Sequence, residues 1–257
     1  MELIGLQTEI AWHDRAANHA MVRAMLEAAG PKRGALVVLP EMFASGFSRD
    51  VAAATERAAE SEEFLSALAK EHGIALMAGL ATRPDGCGAN ESITFGPDGG
   101  ELARYRKLQP FSLGGEPEAY PAGNRIVTFT WGGFTVAPFI CYDLRFPEIF
   151  REATARGADL IAVVASWPNR RQHHWSTLLR ARAIENMAGV IGVNRAGSDP
   201  EFIYAGGSVI LGPQAEVLAE AGDAPGFIRA DLSPATVAEW RAAFPALRDR
   251  RSDISSL

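Results

Sequence analysis

The sequence predicts an α/β fold in which two mixed sheets pack together with helices outside. Three observations lead there. Strand-like and helix-like stretches alternate along the whole chain, the signature of α/β organisation. The run Ala35-Leu-Val-Val-Leu39 is apolar without interruption, as a strand covered on both faces requires. Glycine-rich punctuation such as Gly96-Pro-Asp-Gly-Gly100 marks tight hairpins, so the sheets are mixed rather than all parallel.

The elements follow in order. Leu3–Thr8 reads as the first strand. Asp14 is placed to cap a helix that runs to Ala29, with Ala17, Met21, Met25 and Ala28 on one face and Gly30-Pro31 as the stop. After the apolar strand, Ser61 is expected to open a second helix carrying Phe64, Leu65 and Leu68, ended by Gly73. Ile74–Leu80 is a strand, and Ser92–Phe95 with Glu101–Tyr105 forms a hairpin. Ile126–Thr130 and Phe134–Ile140 flank Trp131-Gly-Gly133. Pro147 suits the first position of a helix reaching Arg156. Leu160–Ala165 is a strand and Trp175–Met187 a helix. Val190–Asn194, Ser208–Leu211, Glu216–Leu218 and Phe227–Asp231 are short strands, and Ser233-Pro234 starts a last helix that ends before Pro245. With no low-complexity linker, residues 1–257 read as a single domain with a polar tail over 246–257. The last strands and the tail read as an appendage suited to docking on a partner subunit.

Composition narrows the function. At 257 residues the chain buries enough surface to fold without disulfides or a structural metal. A content of 47% hydrophobic and 22% charged residues excludes wholesale disorder. The net charge of −6 argues against nucleic acid or an anionic membrane as partner. No apolar run reaches the length of a membrane span. The opening Met-Glu-Leu-Ile-Gly has neither a basic n-region nor an apolar h-region, so no signal peptide is expected. Two cysteines, Cys87 and Cys141, make no disulfide framework and point to the reducing cytoplasm.

Cys141 follows a strand directly and precedes a helix start, a position that exposes a nucleophile at the top of a sheet and favours a thiolate. Position alone leaves open a buried, inert thiol. Cys87 lies in a loop and is given no role. Glu41 ends an apolar strand, where a partly desolvated carboxylate serves as general base near neutrality; a solvated loop residue is the alternative. Lys107 follows the strand from Glu101 and is suited to stabilise an oxyanion, unless it is only one member of the basic run Arg104-Tyr-Arg-Lys107. None of the five histidines forms a Cys/His signature. His173-His174 lacks the neighbours of a metal site and reads as structural, and no phosphate loop or dinucleotide fingerprint is present.

Three segments taken together resemble the catalytic segments of the nitrilase superfamily of carbon–nitrogen hydrolases. They are Leu39-Pro-Glu41-Met-Phe-Ala-Ser-Gly-Phe47, Tyr105-Arg-Lys107 and Phe139-Ile-Cys141-Tyr-Asp-Leu-Arg-Phe-Pro147, in the family's order and at similar spacing. The resemblance implies an α-β-β-α sandwich. Ala165-Ser-Trp-Pro168, His174-Trp175, Ala181-Arg-Ala-Ile-Glu-Asn186 and Val193-Asn-Arg-Ala-Gly-Ser-Asp199 resemble the omega-amidase branch, which hydrolyses the terminal amide of 2-oxo dicarboxylic acid monoamides such as 2-oxoglutaramate and 2-oxosuccinamate. Lys107-Leu-Gln-Pro-Phe111 departs from the form that bacterial members often show, which bears on the shape of the acyl pocket.

The resemblance implies a role for each residue. Glu41 is base and acid, Cys141 the nucleophile, and Lys107 with the Tyr142 N–H the oxyanion stabiliser. A second glutamate nine residues after the lysine falls on Glu116, with Glu118 the runner-up before Tyr120-Pro-Ala-Gly123. Asp143 and Arg145 are assigned helix capping and ion pairing. Phe43 and Trp167 follow strand ends near the proposed site and read as pocket walls, with ordinary core aromatics as the alternative. Arg171 matches an arginine of the omega-amidase branch and is the expected holder of a substrate carboxylate, ahead of Arg170 and Arg195, unless the two loop arginines are solvated surface charges. No metal or organic cofactor is implied, the substrate is a small-molecule amide, and a homodimer or larger homo-oligomer is expected. The alternatives are a nitrilase-fold enzyme acting on another small amide, N-carbamoyl compounds, nitriles or acyl transfer, and an idle binding protein on the same fold.

Overall fold

The structure is a computed structural model and describes residues 1–251. In chain order the strands are β1 (Glu2–Gln7), β2 (Leu36–Val38), β3 (Ala75–Thr82), β4 (Ala89–Phe95), β5 (Glu101–Arg106), β6 (Phe129–Trp131), β7 (Phe134–Ile140), β8 (Leu160–Ala165), β9 (Gly189–Asn194), β10 (Ala196–Ser198), β11 (Ile203–Ala205), β12 (Val209–Leu211), β13 (Val217–Glu220) and β14 (Gly226–Asp231). The helices are α1 (Arg15–Ala29), α2 (Val51–Thr55), α3 (Ala58–His72), α4 (Glu116–Ala119), α5 (Pro147–Ala155), α6 (Gln172–Asn186) and α7 (Pro234–Ala243). One sheet has the order β14-β1-β2-β3-β4-β5 and the other β13-β12-β9-β8-β7-β6. Each has a parallel centre and antiparallel flanks.

Period-two alternation divides the apolar side chains between two layers. Leu3, Leu36, Val38, Ala75 and Met77 enter the core between the sheets, where they join Val136, Phe139, Val163 and Ile191. Their neighbours Ile4, Leu6, Val37, Leu76 and Ala78 face the helix layer and pack with Val22 and Leu26 of α1 and Leu65 and Leu68 of α3. On the other side the inter-sheet core continues under α5 and α6 through Phe150, Trp175 and Leu179. The α-β-β-α sandwich expected from the sequence is the architecture observed.

Several boundaries differ, each for a physical reason. The buried face of α1 is Asn18, Val22, Leu26 and Ala29, one position on from the expected stripe. Asn18 is buried because its side chain bonds the Ala11 N–H, the Ala11 carbonyl and the Ala44 carbonyl, which a count of apolar residues does not register. Ser61 does not open α3. It lies inside the helix, fully buried, and accepts from Arg15 Nε at 2.9 Å, tying α3 to α1. The strand expected over 126–130 pairs only from Phe129. The last strands are not an appendage, since β14 pairs along all of β1 and β13 closes the second sheet beside β12. Of the tail, Ala246–Asp249 forms a 3-10 turn and residues 252–257 lie outside the described part. Among the described residues no helix is long and apolar enough to cross a membrane.

Gly79 on β3 is where the fold meets the site. A Cβ there would lie 2.4 Å from Glu41 Cα and 2.9 Å from the Pro40 carbonyl oxygen, both backbone atoms that cannot rotate away. The close approach lets Gly79 N–H donate to Pro40 and its carbonyl accept from Phe43, which pins the turn holding Glu41. Gly79→Ala should therefore destabilise the fold by about 1–3 kcal/mol as an overpacking change, read as a lower urea midpoint. It should also reduce turnover of the variant that remains folded.

Candidate active site

The parallel strands β2, β7 and β8 end on one side of the sandwich, the edge where α/β sheets bind ligands. Glu41 follows β2, Cys141 follows β7, and Ser166 and Trp167 follow β8. Lys107 follows β5, and Glu116 opens the short α4. The chain turns sharply at two of these points. Cys141 adopts φ +45° and Met42, next to Glu41, φ +49°, both in the left-handed region that residues with a Cβ avoid. From Cys141 the chain winds through a 3-10 turn to Arg145.

Lys107 and both glutamates are almost wholly buried, and the ammonium is shared between the two carboxylates. Nζ reaches Glu41 Oε1 at 2.9 Å and Glu116 Oε1 and Oε2 at 3.0 and 2.8 Å. Three further donors complete the cluster. Asn90 Nδ2 donates to Oε1 of Glu41 (2.7 Å) and of Glu116 (2.8 Å), the Ser166 N–H to Glu41 Oε2 (2.8 Å), and the Phe111 N–H to Glu116 Oε2 (2.6 Å). Burial opposes the charge on Lys107, but Glu116 and Glu41 outweigh it and hold the ammonium protonated, above its ordinary range. The Cys141 thiol is pushed well above its usual value, first by burial and then by Glu41, with Lys107 pulling the other way. The shift runs opposite to the one expected from the nearby helix start, because burial and the two carboxylates act against the single lysine.

Above this cluster lies a cleft of about 400 Å³ including its open mouth, lined by Glu41, Lys107, Cys141 and Ser166 at one end and by Phe47, Phe111, Tyr142, Trp167, Pro168, Phe202 and Tyr204 around its walls. Two guanidinium groups, Arg145 and Arg171, also line it. Arg145 lies 4.8 Å over the Trp167 ring and approaches His174 Nδ1 at 3.1 Å. Arg171 lies 5.2 Å over Phe111. Among the described residues neither arginine is ion-paired with a carboxylate, so the ion pair expected for Arg145 is absent.

Of the residues expected from sequence, Glu41, Lys107, Cys141, Tyr142, Trp167 and Arg171 line one cleft, and Glu116 supports it from behind. Glu118 is exposed on α4 and takes no part in the cluster. Phe43 is not a wall. It is buried in the helix-side core with Leu39 and Leu65, because the left-handed Met42 turns the chain and sends Phe47 into the cleft instead. Arg170 is exposed beside Phe202. Arg195 is buried and committed to the Ile10 and Ser198 carbonyls and the Tyr204 ring, so it anchors the β10–β11 hairpin rather than facing the cleft. Asp143 caps as expected, accepting from the Ile140 and Gln109 N–H groups and the Tyr105 hydroxyl. Sequence reasoning did not find Asn90, nor Asn194, whose side chain fixes Trp167 by accepting its N–H at 2.7 Å. His173 and His174 are exposed, and no set of three or more potential metal ligands occurs among the described residues.

This chain belongs to the carbon–nitrogen hydrolase family, whose model matches residues 4–242. Within the family it is similar to an omega-amidase of Escherichia coli strain K12, 38% identical over 247 residues that span 95% of this chain and 94% of that one. It is also similar to a 2-oxoglutaramate amidase of Bacillus subtilis, 36% identical over 228 residues, 87% of each chain. Among solved structures, a CN-hydrolase superfamily protein from Xanthomonas campestris with an arsenic adduct in its active site superposes with a TM-score of 0.92 at 34% identity, covering 98% of this chain and 97% of that one.

Asp143 supplies a test of how the cysteine turn is held. Burial pushes its carboxyl up to about 7, against the pull of the Ile140 N–H and the Tyr105 hydroxyl. Asp143→Asn would turn an amide N–H toward one of these donors and should cost about 1–3 kcal/mol of stability. The folded value lies above the unfolded one, so ionisation of Asp143 weakens the fold progressively as pH rises from about 4 toward 7. The wild-type advantage over Asp143→Asn should be largest near pH 4 and shrink toward neutrality in urea melts.

Proposed function

We propose that this protein is a cysteine-dependent amidohydrolase that cleaves the terminal amide of 2-oxo dicarboxylic acid monoamides, 2-oxoglutaramate and 2-oxosuccinamate, to the acid and ammonia. The observation that carries the reading is a cleft lined together by a thiol, a carboxylate and an ammonium, whose wall bears two guanidinium groups that have no carboxylate partner among the described residues. In the proposed reaction Glu41 takes the thiol proton as Cys141 attacks the amide carbon. Lys107 and the Tyr142 N–H stabilise the oxyanion. Glu41 returns the proton to the departing ammonia, then activates water to hydrolyse the thioester. Glu116 holds Lys107 in place. Arg171 binds the substrate's carboxylate, with Trp167 and the aromatic rim excluding water.

The similarity to an omega-amidase and a 2-oxoglutaramate amidase supports the substrate class. Support for the cysteine comes from a mutant of a Nesterenkonia amidase, 27% identical with a TM-score of 0.84, which shows the result of Michael addition of acrylamide at the active-site cysteine. The reaction needs no metal or organic cofactor. We further read the chain as one catalytic domain working in the cytoplasm as a homodimer or larger homo-oligomer.

Ammonia release from the two 2-oxo amides, set beside N-carbamoyl amino acids, nitriles and a neutral amide, tests the substrate class; preference for one of the other panels would replace it. Cys141→Ala should abolish turnover with the fold retained. Glu41→Gln should lower kcat by at least about 10²–10⁴-fold, the usual worth of base catalysis. Near-wild-type rates in either variant would refute its assigned role. Arg171→Ala should lose roughly 1.5–3 kcal/mol of transition-state binding for a 2-oxo acid substrate, measured as kcat/KM, and much less for a neutral amide of similar length. Equal losses on both would place the carboxylate elsewhere.

A further inference from the structure

Asn90 sits on β4, 1% exposed, and meets the buried cluster in three ways. Its carbonyl accepts the Lys107 N–H at 2.9 Å, which fixes the backbone from which the lysine extends. Its Nδ2 donates to Glu41 Oε1 at 2.7 Å and to Glu116 Oε1 at 2.8 Å. These are the same two oxygens that Lys107 Nζ reaches at 2.9 and 3.0 Å. A charged and a neutral nitrogen therefore bridge one pair of carboxylate oxygens. Asn90 Oδ1 is buried without a partner among the described residues, so the amide's orientation is set by its donors: flipped, its oxygen would face two carboxylates.

We infer that Asn90 is a positioning residue that keeps Glu41 and Glu116 together as anions and reserves Glu41 Oε2 as the atom that takes the thiol proton. The inference rests on the reading of Glu41 as the base for Cys141. A carboxylate oxygen offers two acceptor sites. Both on Oε1 are filled, by Asn90 and Lys107, whereas among the described residues Oε2 receives the Ser166 N–H alone, at 2.8 Å. A proton arriving from Sγ thus finds its open acceptor on Oε2.

The residue type follows from charge. Two carboxylates and one ammonium already leave the cluster at net −1. Aspartate at 90 would add a third anion, and lysine would cancel the charge that makes Glu41 basic. An apolar residue would leave the carboxylates repelling each other, and like charges in one site make one of them take up a proton more readily. The other titratable groups facing the pair are Cys141, Tyr120 and Tyr204, with Asp143 acting on Lys107. Neither tyrosine hydroxyl substitutes for the amide, because Tyr120 donates to the Ser48 carbonyl and Tyr204 to Asp199.

The test is the rate of Cys141 alkylation by iodoacetamide against pH, followed by mass spectrometry on the full-length Cys87→Ala protein, which needs no substrate. Asn90→Leu should move the acid limb upward by about one pH unit, a tenfold change in proton affinity, and slow alkylation in proportion below the limb. Asn90→Ser, which keeps one donor, should move it part of the way. Turnover of the 2-oxo amide should fall in kcat with KM unchanged. A folded Asn90→Leu protein with an unmoved limb would overturn the inference. Should Asn90→Leu fail to fold, an unmoved limb in Asn90→Ser would overturn it equally. Glu41→Gln separates the two levels. If it leaves the profile unchanged, the base assignment falls and this inference with it. If it alters the profile while the Asn90 variants do not, only the inference about Asn90 falls.

Discussion

The buried ammonium of Lys107 is the constraint around which the rest of the site is arranged. A lone charge taken out of water would neutralise or leave the core. Lys107 does neither, because Glu41 and Glu116 close on it within 3.0 Å. Satisfying those carboxylates then recruits groups from distant parts of the chain: Asn90 from β4, the Ser166 N–H after β8, and the Phe111 N–H in the loop after β5. The short α4 and the loop before it place Glu116 behind the lysine and Phe111 in the cleft wall with one set of bonds.

The same economy governs the backbone. Left-handed geometry costs a residue with a Cβ about 1–2 kcal/mol, and it occurs at Cys141 itself and next to Glu41 at Met42. Each distortion is over-determined by its surroundings. Asp143, buried and triply bonded, holds the cysteine turn to β7, to Gln109 and to Tyr105 of β5. Gly79 lets the Met42 turn lie directly on β3. The strain aims a thiol and a carboxylate at the same point from two different sheets.

What was legible in the sequence follows from this geometry. Glu41, Lys107 and Cys141 each follow a strand, but position alone left each of them open, and only the three segments read together brought them to one site. Glu116 was found by its offset from Lys107, and its burial against the exposed Glu118 came only with the fold. Phe43 was misplaced because nearness to a strand end does not say which way a side chain points once the chain turns, as it does at the left-handed Met42. Asn90 was missed because the hairpin pattern was picked up only from Ser92, whereas β4 begins at Ala89. The face of α1 was set by a buried asparagine that apolar periodicity counts as solvent-facing. The misplacements arise where a local bond network overrides the period.

The charges are also ordered along the cleft, and this bears on the direction of the proposed reaction. Its foot holds Glu41 and a single lysine, with Glu116 behind them, while its wall carries Arg145 and Arg171. An anionic group is repelled from the foot and attracted to the wall. For the substrate proposed above, with a carboxylate at one end and a neutral amide at the other, this arrangement favours entry amide first. Hydrolysis changes that balance. The amide becomes a second carboxylate, formed beside Glu41 once the thioester is cleaved and no longer bonded to Cys141. The field that oriented the substrate then opposes the product, because one of its two negative ends faces the anionic foot whichever way it lies. In the proposed reaction, selectivity at entry and release of the product thus draw on one arrangement of charge, set by the groups that hold Lys107.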